Sequence, residues 1–88
     1  MITREECVYE IREAASDWGR EALECDEASL ASAYAQDALD LNMVADLLEE
    51  GCGGQAATYA HELDTIVREC LSNDIWDFLD NFLLERSC

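Results

Sequence analysis

The sequence predicts an all-α fold, a compact bundle of about four helices that forms a single domain over residues 1–88. Apolar side chains recur at spacings of three and four along most of the chain, which is the periodicity of a helix with one buried face. Proline is absent, and three of the four glycines cluster within residues 51–54. No segment shows the alternation of a strand. We therefore expect two long helices before the glycine cluster and two shorter helices after it.

The first helix is delimited by a capping signal and a continuous apolar stripe. Thr3 followed by Glu6 has the spacing of a capping box, so the helix should begin at Arg4. The stripe predicts that this helix continues to about Cys25. The members of the stripe are Val8, Ile11, Ala15, Trp18, Ala22 and Cys25.

The second helix should begin at a cap provided by Asp26 and end at Gly51, because a glycine just after an apolar stripe is typical of a helix C-terminus. Its main stripe consists of Ala31, Tyr34, Ala38, Leu41, Ala45 and Leu48.

This second helix is apolar on two faces, since Leu39, Met43 and Leu47 lie away from the main stripe. One explanation is that the helix is central and packed on both sides, as helices that are apolar all round usually are. The other explanation is an exposed apolar patch for self-association or for a partner. We favour packing on both sides.

Two shorter helices are expected after the glycines. Ser72 or Asn73 should cap the last one, and Trp76 and Leu83 at the edge of its stripe are expected to pack in the core. The stripe of the third helix is Ala56, Tyr59, Leu63, Ile66 and Cys70, and that of the fourth is Ile75, Phe78, Leu79 and Phe82.

The charge of the chain is extreme. It carries 21 Asp and Glu against five Arg and no Lys, a formal net charge of -16, while half of its residues are hydrophobic. The hydrophobic content favours a folded domain over an acidic disordered tail. Anionic lipid surfaces and nucleic acid repel such a chain, so the expected partner is a protein with a basic surface. Neither a membrane span nor a secretory signal is recognisable, which makes the cytoplasm the expected location.

The carboxylates of the first helix are one-sided. Six of them fall within an arc of about 80° at 100° per residue, turned away from the apolar stripe. Two more extend the row at the next turn. A solvated polar face is the ordinary explanation of a charge run, but it does not require this one-sidedness. We call the eight residues the acidic ridge: Glu6, Glu10, Glu13, Asp17, Glu21, Glu24, Asp26 and Glu27. A secondary acidic face on the last helix consists of Asp74, Asp77 and Asp80.

No catalytic, metal or cofactor motif is present. His61 is followed by Glu62, but the second histidine of a His-Glu-x-x-His zinc helix is replaced by Thr65. We expect His61 to be a surface residue near Asp64 and Arg68. The sequence therefore predicts a protein that is not an enzyme and that needs no metal or other cofactor.

The five cysteines do not form a Cys-x-x-Cys pair, so their spacing does not indicate zinc. Cys7 and Cys25 are too far apart along one helix to form a disulfide. Cys25 and Cys70 are expected in the core, and Cys52 and Cys88 at the surface.

Carboxylates spaced by helical turns approximate a row of phosphates, so the acidic ridge suits a basic groove that normally binds nucleic acid. A very acidic chain of this size without a catalytic motif resembles the small inhibitors of host defence encoded by phages and mobile elements, in particular anti-CRISPR proteins and anti-restriction DNA mimics. The resemblance is compositional and covers the whole chain. Because those inhibitors share no single fold, no residue role is transferred.

The resemblance implies an inhibitor that acts in the host cytoplasm and blocks a CRISPR–Cas effector or another nuclease complex where it binds DNA. Two other functions stay open. One is a helical adaptor or antitoxin-like module that binds a partner through Leu39, Met43 and Leu47; the other is an ordinary acidic domain of a salt-loving organism. A homodimer also stays open.

Overall fold

A computed structural model of the chain describes residues 2–85, with side chains to residue 82. Within this range the fold is all-α and contains no strand, as the sequence predicts. Residues 2–85 contain five helices rather than about four, because the third predicted helix is divided in two. The helices are α1 (Arg4–Glu24), α2 (Ala28–Glu49), α3 (Gly53–His61), α4 (Thr65–Cys70) and α5 (Asn73–Glu85).

The start of α1 confirms the predicted capping box. The hydroxyl of Thr3 accepts a hydrogen bond from the backbone N–H of Glu6 at 3.1 Å, and a carboxylate oxygen of Glu6 accepts one from the N–H of Thr3 at 3.3 Å. These bonds satisfy two backbone donors that the helix itself leaves unpaired.

The predicted cap of α2 is wrong by one residue. Glu27, not Asp26, precedes the helix, and its backbone carbonyl accepts from the N–H of Ala31 at 2.9 Å without a side-chain cap bond. Cys25 leaves α1 in an extended conformation, so Asp26 falls in the connecting turn. At the other end, Gly51 adopts a φ of 86°, the left-handed conformation that confirms the predicted stop.

The third predicted helix breaks at residues 62–64. The N–H groups of Glu62 and Leu63 bond to the carbonyls of Tyr59 and Ala60 at 3.1 and 3.2 Å, which tightens the last turn of α3 and ends it. Asp64 then precedes α4 with ψ 147°.

This break changes which residues face the core. Leu63 and Val67 are buried, whereas Ile66 is 66% exposed and Cys70 is exposed. The predicted burial of Ile66 and Cys70 is therefore wrong, because the three residues of the break shift the helical phase of α4 relative to α3.

The core lies between the long antiparallel pair α1 and α2, and α3, α4 and α5 close it on one side. Trp76 is half-buried against this core and donates its indole N–H to the carbonyl of Arg68 at 3.1 Å, in agreement with the prediction that it packs inward. The side chain of Leu83 and all of Cys88 are outside the described residues. The central buried side chains are Cys7, Ile11, Leu41, Val44, Leu48, Val67 and Leu79.

Packing of α2 on both sides, the explanation that we favoured, is wrong for its outer face. Leu39 is 63% exposed and Met43 is 46% exposed, because no element within residues 2–85 covers them. Leu47 is half-buried and packs against the core. None of the five helices is both long and apolar enough to cross a membrane.

Gly53 at the start of α3 lies directly against α5. A Cβ at this position would meet the ring of Phe82, with 2.5 Å to its Cγ. We therefore expect Gly53→Ala to destabilise the fold by about 1–3 kcal/mol, the usual cost of overpacking, although alanine is otherwise the better helix former. The measurement is the free energy of unfolding in urea.

Gly19 provides the matched control for this substitution. It lies within α1, and a Cβ there would meet only the Cβ of Ala38, at 4.0 Å. Gly19→Ala should stabilise the protein by about 0.5–1 kcal/mol through helix propensity alone. A stabilising Gly53→Ala would contradict the close contact with Phe82, and Phe82→Leu should recover part of the loss.

Candidate partner-binding surface

The acidic ridge follows the outer face of α1 and the turn after it. Every one of its eight carboxylate residues is exposed, as the sequence predicts. The side chains project from one uninterrupted helix, Arg4–Glu24, whose opposite face is held by α2. From Glu6 to Glu24 the ridge is about 27 Å long at 1.5 Å per residue. The fold thus presents a straight acidic edge on a firmly packed element.

Arg12, the cation in the middle of α1, turns away from the ridge. Its guanidinium donates to a carboxylate oxygen of Asp46 at 2.7 Å and to the amide oxygen of Asn42 at 3.2 Å, and it also pairs with Glu49. The hydrogen bonds to Glu49 and Asp46 raise the pKa of Arg12. Its charge is therefore balanced by α2 and does not compensate the ridge.

The ridge itself receives little compensation. Arg20 approaches Asp17 at 3.7 Å, but both side chains are mostly exposed, and such pairs contribute little. Glu6 is held by the capping box. Within the described part of the chain, Glu10, Glu13, Glu21 and Glu24 form no ion pair. Hydrogen bonding to Glu13 raises the pKa of the Tyr9 hydroxyl.

The secondary acidic face on α5 is less uniform than predicted. Asp74 and Asp77 are exposed, whereas Asp80 is half-buried and accepts a hydrogen bond from Nε2 of His61 at 2.9 Å. The ring of His61 also packs against that of Trp76 at a tilt of 41°, with 4.8 Å between centroids. His61 is exposed, as predicted; it contacts α5 and lines one depression together with Arg68.

A groove accompanies the ridge on the side that faces the turn between α4 and α5. Its larger part, about 400 Å³, is lined by Ala14, Asp17, Trp18, Glu21 and Cys70. Its smaller part, about 220 Å³, shares Ala14, Asp17 and Cys70 and extends past Glu10, Glu13, Ser72 and Ile75. Because the two parts share three residues, they form one continuous depression, which we call the α1–α4 groove.

This groove could not be found from the sequence, which placed Cys70 in the core. The sequence offers a second apolar pattern here. Leu63 and Val67, spaced by four, define a buried face that differs from the predicted stripe through Ile66 and Cys70. This pair would move Ile66 to the edge of the stripe, but it keeps Cys70, three residues after Val67, on the buried face. The approach of α4 to α1, however, is a long-range property that neither pair reveals.

Two buried titratable groups lie away from the ridge surface. Burial and the nearby charge of Glu10 raise the pKa of the Cys7 thiol to about 12, which disfavours the thiolate. Burial and the charges of Asp64 and Asp40 raise the pKa of Asp37. Across residues 2–85, no three His, Cys, Asp or Glu side chains are arranged to hold a metal ion.

The outer face of α2 is the second exposed surface that a partner could use. Leu39 and Met43 are neighbours on this face, and residues 28–36 before them carry no charge. An uncharged segment of nine residues is conspicuous in a chain with a net charge of -16. This face and the acidic ridge are thus chemically distinct surfaces of one molecule.

Comparison of the chain with protein-family models, with curated proteins and with solved structures gives no match.

Proposed function

We propose that this chain is a protein inhibitor that occupies the basic nucleic-acid-binding groove of another protein and excludes the nucleic acid. The acidic ridge stands in for phosphates. The proposed target, from the compositional resemblance, is a CRISPR–Cas effector or another nuclease complex. The observation that supports this function best is the one-sided charge of α1: its carboxylates are exposed, while Arg12 is engaged by α2.

The ridge would act by direct pairing with arginine and lysine. Carboxylates accept bidentate, charge-assisted hydrogen bonds from arginine, as phosphates do. Because α1 is already folded and packed, these groups would be in position before the partner arrives. Binding would therefore cost little conformational entropy. Long-range attraction between an acidic protein and a basic groove would also speed association.

The charge spacing fits one nucleic-acid strand better than a duplex. The six ridge carboxylates of α1 are separated by about 5 Å along the helix axis on average. Duplex DNA carries one charge per about 1.7 Å when both strands are counted, and one per about 3.4 Å for each strand. A ridge of this density would replace the phosphates of one strand along one wall of a groove.

The test is competition with DNA. The purified chain is added to CRISPR–Cas effectors and restriction nucleases bound to labelled duplex, at about 50 and 200 mM salt. We expect DNA to be displaced from at least one target at the lower salt and displacement to weaken steeply at the higher one. Unfolded polyglutamate of equal charge is the control and should compete less well, since its carboxylates are not prearranged. If the chain displaced DNA from none of the targets, the proposal would be refuted.

A helical adaptor is the second candidate function, favoured by the exposure of Leu39 and Met43. In that case an apolar partner surface would cover the outer face of α2, and binding would survive high salt. The double variant Leu39→Ser, Met43→Ser separates the two functions. It should abolish an adaptor interaction and leave DNA competition unchanged.

A further inference from the structure

The α1–α4 groove combines an apolar floor with an acidic rim. Ala14 and Trp18 are half-buried and form its floor, whereas Asp17, Glu21 and Cys70 around them are exposed. The larger part has a volume of about 400 Å³, within the range of about 300–1,000 Å³ that is usual for small ligand sites. It is therefore large enough to take in one side chain of a partner.

We propose that this groove receives an arginine side chain of the partner protein. The inference rests on the proposed function for the kind of partner, since a basic nucleic-acid-binding groove supplies arginine. The acidic ridge alone would attract any cation. The groove adds a place where the apolar stem of the arginine is buried while its charged end meets carboxylates.

The composition of the groove favours arginine over lysine. The stem of an arginine would pack on Ala14 and Trp18 while its guanidinium pairs with Asp17 or Glu21. A planar guanidinium also stacks on an indole, whereas the compact, strongly hydrated ammonium of lysine does so less well. Trp18 is held for this contact by Tyr34, with 5.2 Å between the ring centroids.

Among the side chains described, residues 2–82, no cation fills this groove. Arg20 touches the rim at Asp17 from 3.7 Å, with both side chains mostly exposed. Arg68 donates to the hydroxyl of Thr65 at 3.1 Å instead, and Arg12 is bound to α2. Among the residues that line the two parts of the groove, none is basic. The arginine of a partner would supply the missing charge.

Two residues report on the groove without any substitution. Trp18 lies in it, whereas Trp76, the other tryptophan, lines a separate depression with His61 and Arg68. The two indole N–H signals in a nitrogen-15 NMR spectrum therefore distinguish groove binding from general effects. Cys70 lines both parts of the groove and is exposed, so its alkylation, mapped by mass spectrometry, measures access.

The probe is a capped peptide of alternating arginine and glycine, compared with the same peptide made with lysine, at about 50 mM salt. We expect the arginine peptide to bind about threefold to tenfold more tightly, owing to stacking and bidentate pairing. It should shift the signal of Trp18 but not that of Trp76. At a tenfold excess over its Kd it should slow alkylation of Cys70 about tenfold.

Matched variants locate the effect. Asp17→Asn with Glu21→Gln should remove the preference for arginine, whereas Glu50→Gln with Glu62→Gln, which changes the net charge equally at exposed sites outside the groove, should retain it.

The inference is overturned if both peptides bind equally and neither Trp18 nor Cys70 responds, or if no peptide binds. If the arginine and lysine peptides bound equally and both lost binding when the ridge carboxylates were neutralised, the arginine site in the groove would be refuted. The DNA-competition proposal would then still stand. Conversely, a specific response of Trp18 and Cys70, together with failure to displace DNA, would support the groove and refute that proposal.

Discussion

Replacement of Glu10, Glu13, Asp17 and Glu21 by glutamine is expected to weaken the proposed inhibition about 100-fold or more while the protein stays folded. Hydrogen bonds to charged groups contribute about 1.5–3 kcal/mol each, so the loss of even two of them would have this effect. The salt dependence of inhibition should also become shallower, because fewer charge pairs are formed. The measurement is DNA displacement from the target at two salt concentrations.

Stability should change in the opposite direction to binding. The four residues are neighbours at spacings of three and four on α1, where each pair of like charges costs about 0.2–0.5 kcal/mol. Removing these repulsions should preserve or raise the free energy of unfolding, and the weak contact between Asp17 and Arg20 offsets little of the gain. A variant that is stable but inactive would separate recognition from folding.

The control must remove the same charge elsewhere. Four exposed glutamates outside the ridge serve this purpose, and their replacement by glutamine should leave inhibition within about threefold of the parent, because long-range attraction alone is screened beyond about 10 Å. If both quadruple variants lost activity equally, net charge rather than the ridge would be responsible. The control residues are Glu5, Glu50, Glu62 and Glu69.

Leu41→Ala should cost about 2–5 kcal/mol of the free energy of unfolding. Leu41 is fully buried in the middle of α2, so its truncation removes buried apolar surface and leaves a cavity. A domain of this length is stable by only about 5–15 kcal/mol, so the loss is a large fraction of the total. Urea unfolding followed by circular dichroism gives the value.

Leu39→Ala is the matched control, since it makes the same change on the same helix two residues away. Leu39 is 63% exposed, and we expect the free energy of unfolding to change by less than about 0.5 kcal/mol. Equal losses from the two substitutions would show that the outer face of α2 is covered. The pair therefore measures directly which face of this doubly apolar helix is buried.

Local signals in the sequence predicted the first half of the fold well. The capping box at Thr3 and the glycine at Gly51 act within a few residues of the backbone that they organise, so their effects are readable from the chain alone. The all-α class followed from periodicity in the same way. The break at residues 62–64 was missed because it contains neither glycine nor proline and offers two competing apolar registers.

The candidate site also has features that local sequence signals predict and features that depend on long-range packing. Exposure of the acidic ridge could be predicted, because a helix with one apolar stripe turns its opposite face to solvent. The α1–α4 groove could not, since it exists only where Cys70 and Ser72 approach Ala14 across the fold. The exposure of Leu39 and Met43 likewise depends on how many helices surround α2. The apolar periodicity of one helix does not reveal that number.

The length of α1 fixes how much of a nucleic acid one copy could replace. At about 3.4 Å per base pair, the distance of about 27 Å from Glu6 to Glu24 corresponds to about eight base pairs, less than one turn of duplex DNA. Over this length a phosphate strand winds through about three quarters of a turn, so a straight row of charges could face only the stretch of the strand that lies on one side of the axis. An effector that grips about 20 base pairs would then retain bare basic surface beside one bound copy. If each copy replaced about eight base pairs, covering all of that basic surface would require about two or three copies. The length of the single helix α1 would set this stoichiometry.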